Sequence, residues 1–173
     1  MQKIFTIEPI DALKIAIQSE QEMQNYYNQA CELVRDGDAK SILQGLAARA
    51  AEHRKNTIEQ YSRFSGKKIL FLNLDKRHKL NSLQRCPDSP NEAVRVAKRN
   101  EKEMYEFYAT VSRRFIDAEL RAFFRKLAGE HLQHHTLLEA SFVEPLALDQ
   151  EIDQNQDQES GFSDIPEEHH ENR

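Results

Sequence analysis

A chain of 173 residues is long enough for one domain with a buried core and too short to favour two independent ones. Five Gly, five Pro, no Trp and 31% charged residues disfavour a turn-rich sandwich or barrel and predict an all-α protein with solvated outer faces. Nine acidic residues and one basic fall between Asp149 and Arg173, so a formal net charge of −5 leaves the rest of the chain nearly neutral, without the basic stripe that nucleic acid requires.

The N-terminal stretch MQKIFTIEPIDALKIAIQSE has no apolar run followed by a small-residue cleavage site, and no run of about 18 apolar residues occurs anywhere, which predicts a soluble, cytoplasmic protein without a membrane partner. The first helix is expected from about Pro9, with Leu13, Ala16, Glu20, Met23, Tyr27, Ala30 and Val34 on one stripe. A turn at DGD leads into a second helix carrying Leu43, Leu46, Ala50, His53, Thr57 and Phe64, with Gly66 as its terminator. The segment KKILFLNLDKRHKLNSLQRCPD is too long for a tight turn and reads as a crossover running the length of a bundle. Ser89, Pro90 and Glu92 then form a capping-box start for a third helix, whose stripe is Val94, Ala97, Glu101, Met104, Tyr108, Val111 and Phe115. Asp117 is the expected N-cap of a fourth, which carries Leu120, Phe124, Leu127, His131, His134, Leu138 and Phe142 and stops before Pro145. Two antiparallel hairpins joined by a long crossover describe a ferritin-like four-helix bundle over residues 1–145. The remainder, 146–173, is acidic and poor in apolar residues, so it reads as a disordered tail in which His169 and His170 are solvated. Cys31 and Cys86 lie far apart and outside any C-x-x-C pattern, which excludes the usual zinc-ribbon and iron–sulfur spacings and fits a reducing compartment.

The two hairpins are copies of one another. An offset of 81 residues superposes Pro9 on Pro90, Ala16 on Ala97, Glu20 on Glu101, Met23 on Met104, Tyr27 on Tyr108, Asp36 on Asp117, Leu46 on Leu127 and His53 on His134. Each Glu precedes its Asp by 16 residues and each His follows it by 17. At about 1.5 Å of rise per residue, all four side chains stand roughly 24 to 26 Å from their hairpin turns and share one layer.

They also fall on the apolar stripes, where unpaired carboxylates and imidazoles cost on the order of several kcal/mol. A bound cation offsets that cost by accepting carboxylate oxygen and imidazole nitrogen together. The candidate ligands are Glu20, His53, Glu101, His131 and His134. The competing arrangement is a set of Glu–His hydrogen bonds with no metal. Tyr27 and Tyr108 stand as hydrogen-bond donors to these groups or as core aromatics, while Glu130, one turn before His134, is a further contributor or, being offset by one residue and aimed about 100° from the motif position, a bystander. Glu22, Glu52, Glu103, His78 and His135 read as solvated, and Met23 and Met104 as packing.

The segments AIQSEQEMQNYY (16–27) and AKRNEKEMYEFY (97–108), followed by LAARAAEH (46–53) and LAGEHLQH (127–134), resemble the rubrerythrin-like branch of the ferritin-like superfamily. In that family an E-x-x-H on each second helix of a hairpin joins the Glu of the first helix to hold two iron ions. Here Glu20, His53, Glu101 and His134 match, whereas Ala50 and His131 stand where the E-x-x-H glutamates belong and Met104 replaces a further carboxylate. The resemblance therefore implies iron. The ligand set suits one ion of iron, zinc or manganese better than a pair, the other arrangement being an asymmetric pair bridged by Glu20 or Glu101.

It further implies reduction of peroxide or oxygen, with electrons from an external donor because the chain has no Cys-ligated rubredoxin segment, and a homodimer. The alternative is a non-catalytic bundle with a degenerate or structural metal site, acting through protein–protein contacts of its surface or acidic tail. Nothing in the sequence specifies a storage cage.

Overall fold

Proline at the first turn and aspartate at the cap set where the helices begin. In the computed structural model, α1 (Pro9–Leu33), α2 (Gly37–Ser65), α3 (Pro90–Arg114) and α4 (Ala118–Ser141) are the helices among the described residues, which are 7–69, 80 and 82–143. All of these lie in one unit, Met1–Val143. The middle of the crossover with His78, and the acidic segment 146–173 with His169 and His170, lie outside the described residues.

The repeat is visible in the caps. Asp36 accepts the Ala39 amide at 2.7 Å, and Asp117 accepts the Leu120 amide at 2.8 Å. Gly66 ends α2 at φ 68°, a left-handed conformation in which a residue without Cβ is at no disadvantage. The capping box expected at Ser89 does not form: Ser89 takes the N-cap position without a side-chain bond. The Glu92 carboxylate instead receives two guanidinium N–H groups from Arg95, a charge-assisted pair that outcompetes a neutral backbone amide.

α1 packs along α2 and α3 along α4, and the hairpins meet chiefly through α1 and α3, with only a narrow seam between α2 and α4. The core is built from the two stripes, with Leu13, Ala16, Met23, Leu43 and Leu46 facing Ala97, Met104, Val111, Leu120, Phe124 and Leu138. Phe64 departs from expectation at 42% exposed, because the last turn of α2 reaches the level at which α1 only begins. Two buried polar residues absent from the apolar pattern hold the bundle closed. Asn100 clamps the returning crossover by accepting the Gln84 amide and donating to the Gln84 carbonyl, both at 2.9 Å. Lys98 donates to the Phe142 carbonyl at 2.7 Å and so satisfies the end of α4. No helix among the described residues is long and apolar enough to cross a membrane.

Candidate metal centre

Fixed helical rise brings the polar positions of all four helices to one height, midway along the bundle. Glu20 on α1, His53 on α2, Glu101 on α3 and His131 on α4 are buried there, and the His134 side chain is 14% exposed. The pairing within each hairpin is symmetric. His53 Nδ1 stands 3.5 Å from Glu20 Oε2, and His134 Nδ1 stands 3.6 Å from Glu101 Oε2. The tyrosines are symmetric too, but they work across the hairpins: Tyr108 donates to Glu20 Oε1 at 2.7 Å, and Tyr27 donates to Glu101 Oε1. Burial, and then the facing carboxylates, push both phenols well above their ordinary range, so they stay protonated as donors.

His131 breaks the symmetry. Its Nδ1 lies 2.6 Å from Glu101 Oε2 and its Nε2 lies 3.0 Å from Glu20 Oε1, so one imidazole spans both carboxylates. The matching position of the first hairpin is Ala50, which contributes no polar group. Carboxylates only accept, hence both ring nitrogens of His131 carry protons in the metal-free protein. Burial by itself would lower its pKa; the Glu101 and Glu20 charges overcome that and hold it up at about 10. Burial likewise would raise the two glutamates, and the imidazoles, His131 foremost, bring each down to about 2.

These shifts give stability a defined pH window. Relative to an ordinary carboxyl value of 4.5, the two glutamates contribute fully above that value, and the contribution is lost as pH falls through about 2. Relative to 6.5, His131 contributes fully below that value, and its contribution is lost as pH rises through about 10. In the presence of chelator, unfolding free energies from urea denaturation are therefore expected to peak between about pH 4.5 and 6.5 and to fall on the alkaline side by up to about 1.4 kcal/mol per pH unit. A flat profile from neutral to alkaline pH would remove His131 as the internal counter-cation.

A second asymmetry involves Glu130. Despite its offset along α4, its Oε2 reaches 2.6 Å from His53 Nε2 across the α2–α4 seam, with the side chain 33% exposed. The angle of its Cα on α4 aims it about 100° from the motif position, and the side chain makes up the difference. A glutamate has three rotatable bonds, and His53 lies close enough to be reached.

The residues fit a cation on a direct observation. Glu20 Oε2 and His53 Nδ1 are both buried without a hydrogen-bond partner among the described residues, and their separation of 3.5 Å exceeds that of a well-formed bond. Unsatisfied buried groups cost about 1 to 3 kcal/mol each. A cation between them satisfies both at once. Ligand atoms of Glu20, His53 and His131, and separately of Glu101, His131 and His134, lie within 4.8 Å of one another.

Residues 11–141 match the family model for rubrerythrin. A search of curated proteins found no match. Among solved structures the chain is similar to a hypothetical protein from Pyrococcus furiosus, with 23% identity over 81% of this chain and 91% of that one and a TM-score of 0.69. That likeness supports the four-helix fold.

Proposed function

Because the chain belongs to the rubrerythrin family, we propose that it binds iron in the Glu20, His53, Glu101, His131 and His134 layer and reduces peroxide or oxygen with electrons from an external donor. The observation that carries the proposal is the orphaned pair, Glu20 Oε2 and His53 Nδ1, inside a buried layer of carboxylates and imidazoles. Iron, when bound, supplies the one-electron chemistry that such a reduction requires. The chain's own residues do the rest. Glu20 and Glu101 bring two negative charges to a water-poor interior and offset those of the cation. Tyr108 and Tyr27 fix the carboxylate orientations from the opposite hairpin. Glu130 and His134, partly exposed, mark the α2–α4 seam as the entry for a small oxidant. A homodimer, as the family likeness suggests, in the cytoplasm completes this reading.

One observation favours a second reading. His131 compensates both carboxylates without any ion, as a non-catalytic bundle that acts through a protein partner would require. Elemental analysis of untagged protein, grown with iron, manganese and zinc supplied, separates the two. The expected result is stoichiometric iron, and anaerobically loaded Fe(II) that peroxide oxidises at least about tenfold faster than free Fe(II). Protein that retains no metal, even after anaerobic Fe(II) addition, would exclude the catalytic reading.

A further inference from the structure

The two ends of the layer are not equivalent, although the repeat makes them nearly so. Glu101 has no spare oxygen, since Oε1 accepts from Tyr27 and Oε2 faces His131. Glu20 has one, Oε2, and it points at the partnerless His53 Nδ1. The outer contacts differ in the same sense. His53 is held from behind by Glu130, whereas the residue matching Glu130 in the first hairpin is Arg49, which pairs with Glu52 at 3.0 Å on the exposed surface. Among the described residues, the carboxylate paired with His134 is that of Glu101, at 3.6 Å, and none stands behind it as Glu130 does behind His53.

We propose that the centre is mononuclear and asymmetric, with one divalent cation held by Glu20, His53 and His131, while Glu101 and Glu130 orient the two imidazoles and do not bind the ion. Glu130 stands where it accepts a proton on His53 Nε2, so that with an ion bound the Nδ1 lone pair would be free to coordinate it beside Glu20. Glu101 accepts the proton on His131 Nδ1, and the ion takes the place of the Nε2 proton now directed at Glu20. Each imidazole thus stands between a carboxylate and the ion, the arrangement that fixes tautomer and ring direction in metal sites. Tyr108 holds the oxygen of Glu20 next to the orphaned one.

Charge reaches the same count. Two fully buried carboxylates neutralise one divalent cation, and a second would leave two uncompensated positive charges in the interior. The two candidate triples also share His131, whose one ring is already committed to both carboxylates. Two imidazoles and one carboxylate, with coordination positions left open, are a set suited to ferrous iron meeting an oxidant.

This inference rests on the layer being a metal site, and one titration distinguishes the two. The full chain is titrated with Co(II), read by its visible spectrum, and with anaerobic Fe(II), read by elemental analysis after desalting. The expected result is a single break at one equivalent per chain. His53→Ala is expected to weaken binding more than about 100-fold and His134→Ala less than about threefold, while Glu101→Gln and Glu130→Gln weaken it about 10- to 100-fold with the stoichiometry still one. The partly exposed Glu130 can be changed without disturbing the core, so it tests the assignment even if His53→Ala fails to fold. Two equivalents in the unaltered chain, or equal losses for His134→Ala and His53→Ala, would overturn the mononuclear assignment and leave the metal site standing. No binding at all would overturn both.

Discussion

Replacing His131 by leucine is expected to destabilise the metal-free protein by about 3 to 5 kcal/mol, more than the loss of an apolar side chain of that size. The reason is what remains behind. Glu20 and Glu101 are 0% and 1% exposed, and His131 is the cation nearest to both, at 3.0 and 2.6 Å. With leucine in its place the two carboxylates keep their tyrosine donors but lose the shared positive charge, so each must either stay ionised in a poorly solvating interior or take up a proton. Adding Glu20→Gln and Glu101→Gln to the leucine variant removes the uncompensated charges, and most of the lost stability is expected to return. Urea denaturation of the unaltered chain, the leucine variant and the triple variant in chelator measures the effect. A loss below about 1 kcal/mol for His131→Leu would mean that the buried charges are compensated by other groups.

The second large effect runs in the opposite direction, toward metal. Changing Ala50 and His131 together to glutamate restores E-x-x-H on both second helices and puts four carboxylates in a layer that now holds two. Metal-free, that variant is expected to be severely destabilised, since four buried carboxylates have no internal cation among them. With Fe(II) or Mn(II) it is expected to bind two ions per chain, against the one proposed for the unaltered protein. Its unfolding free energy should then rise by about 4 kcal/mol per bound ion, about 8 kcal/mol for two, when free metal exceeds each dissociation constant about a thousandfold. Thermal unfolding with and without metal, together with the metal content of each form, reads both changes. A variant that still binds one ion would show that Ala50 and His131 are not what sets the count.

Both effects depend on a layer whose height was legible in the sequence. Helical rise per residue is nearly constant, and the 81-residue repeat supplied the distances of Glu20, His53, Glu101 and His134 from Asp36 and Asp117 twice over. The caps were legible for a related reason: an aspartate side chain reaches the first free amides of its own helix, and no distant partner is needed. Where a local signal had a competitor it failed, as at Glu92, whose carboxylate went to Arg95.

The contacts between helices were decided otherwise. Residue spacing gives the level and approximate face of a side chain, but not which of several groups at that level it touches, because that depends on the distance between helix axes and on rotamers chosen by packing. The narrow α2–α4 seam lets Glu130 reach His53 in spite of its offset, and the close approach of α1 to α3 makes each tyrosine serve the opposite hairpin's glutamate. A duplicated four-helix bundle with a polar layer at one height is readable from residue spacing alone, since helix geometry is local and repeats. That His131 spans both carboxylates, and that Glu20 and His53 are left with unpartnered atoms facing each other, follows from the packing of the four helices, since those outcomes depend on which side chains compete for the same buried volume.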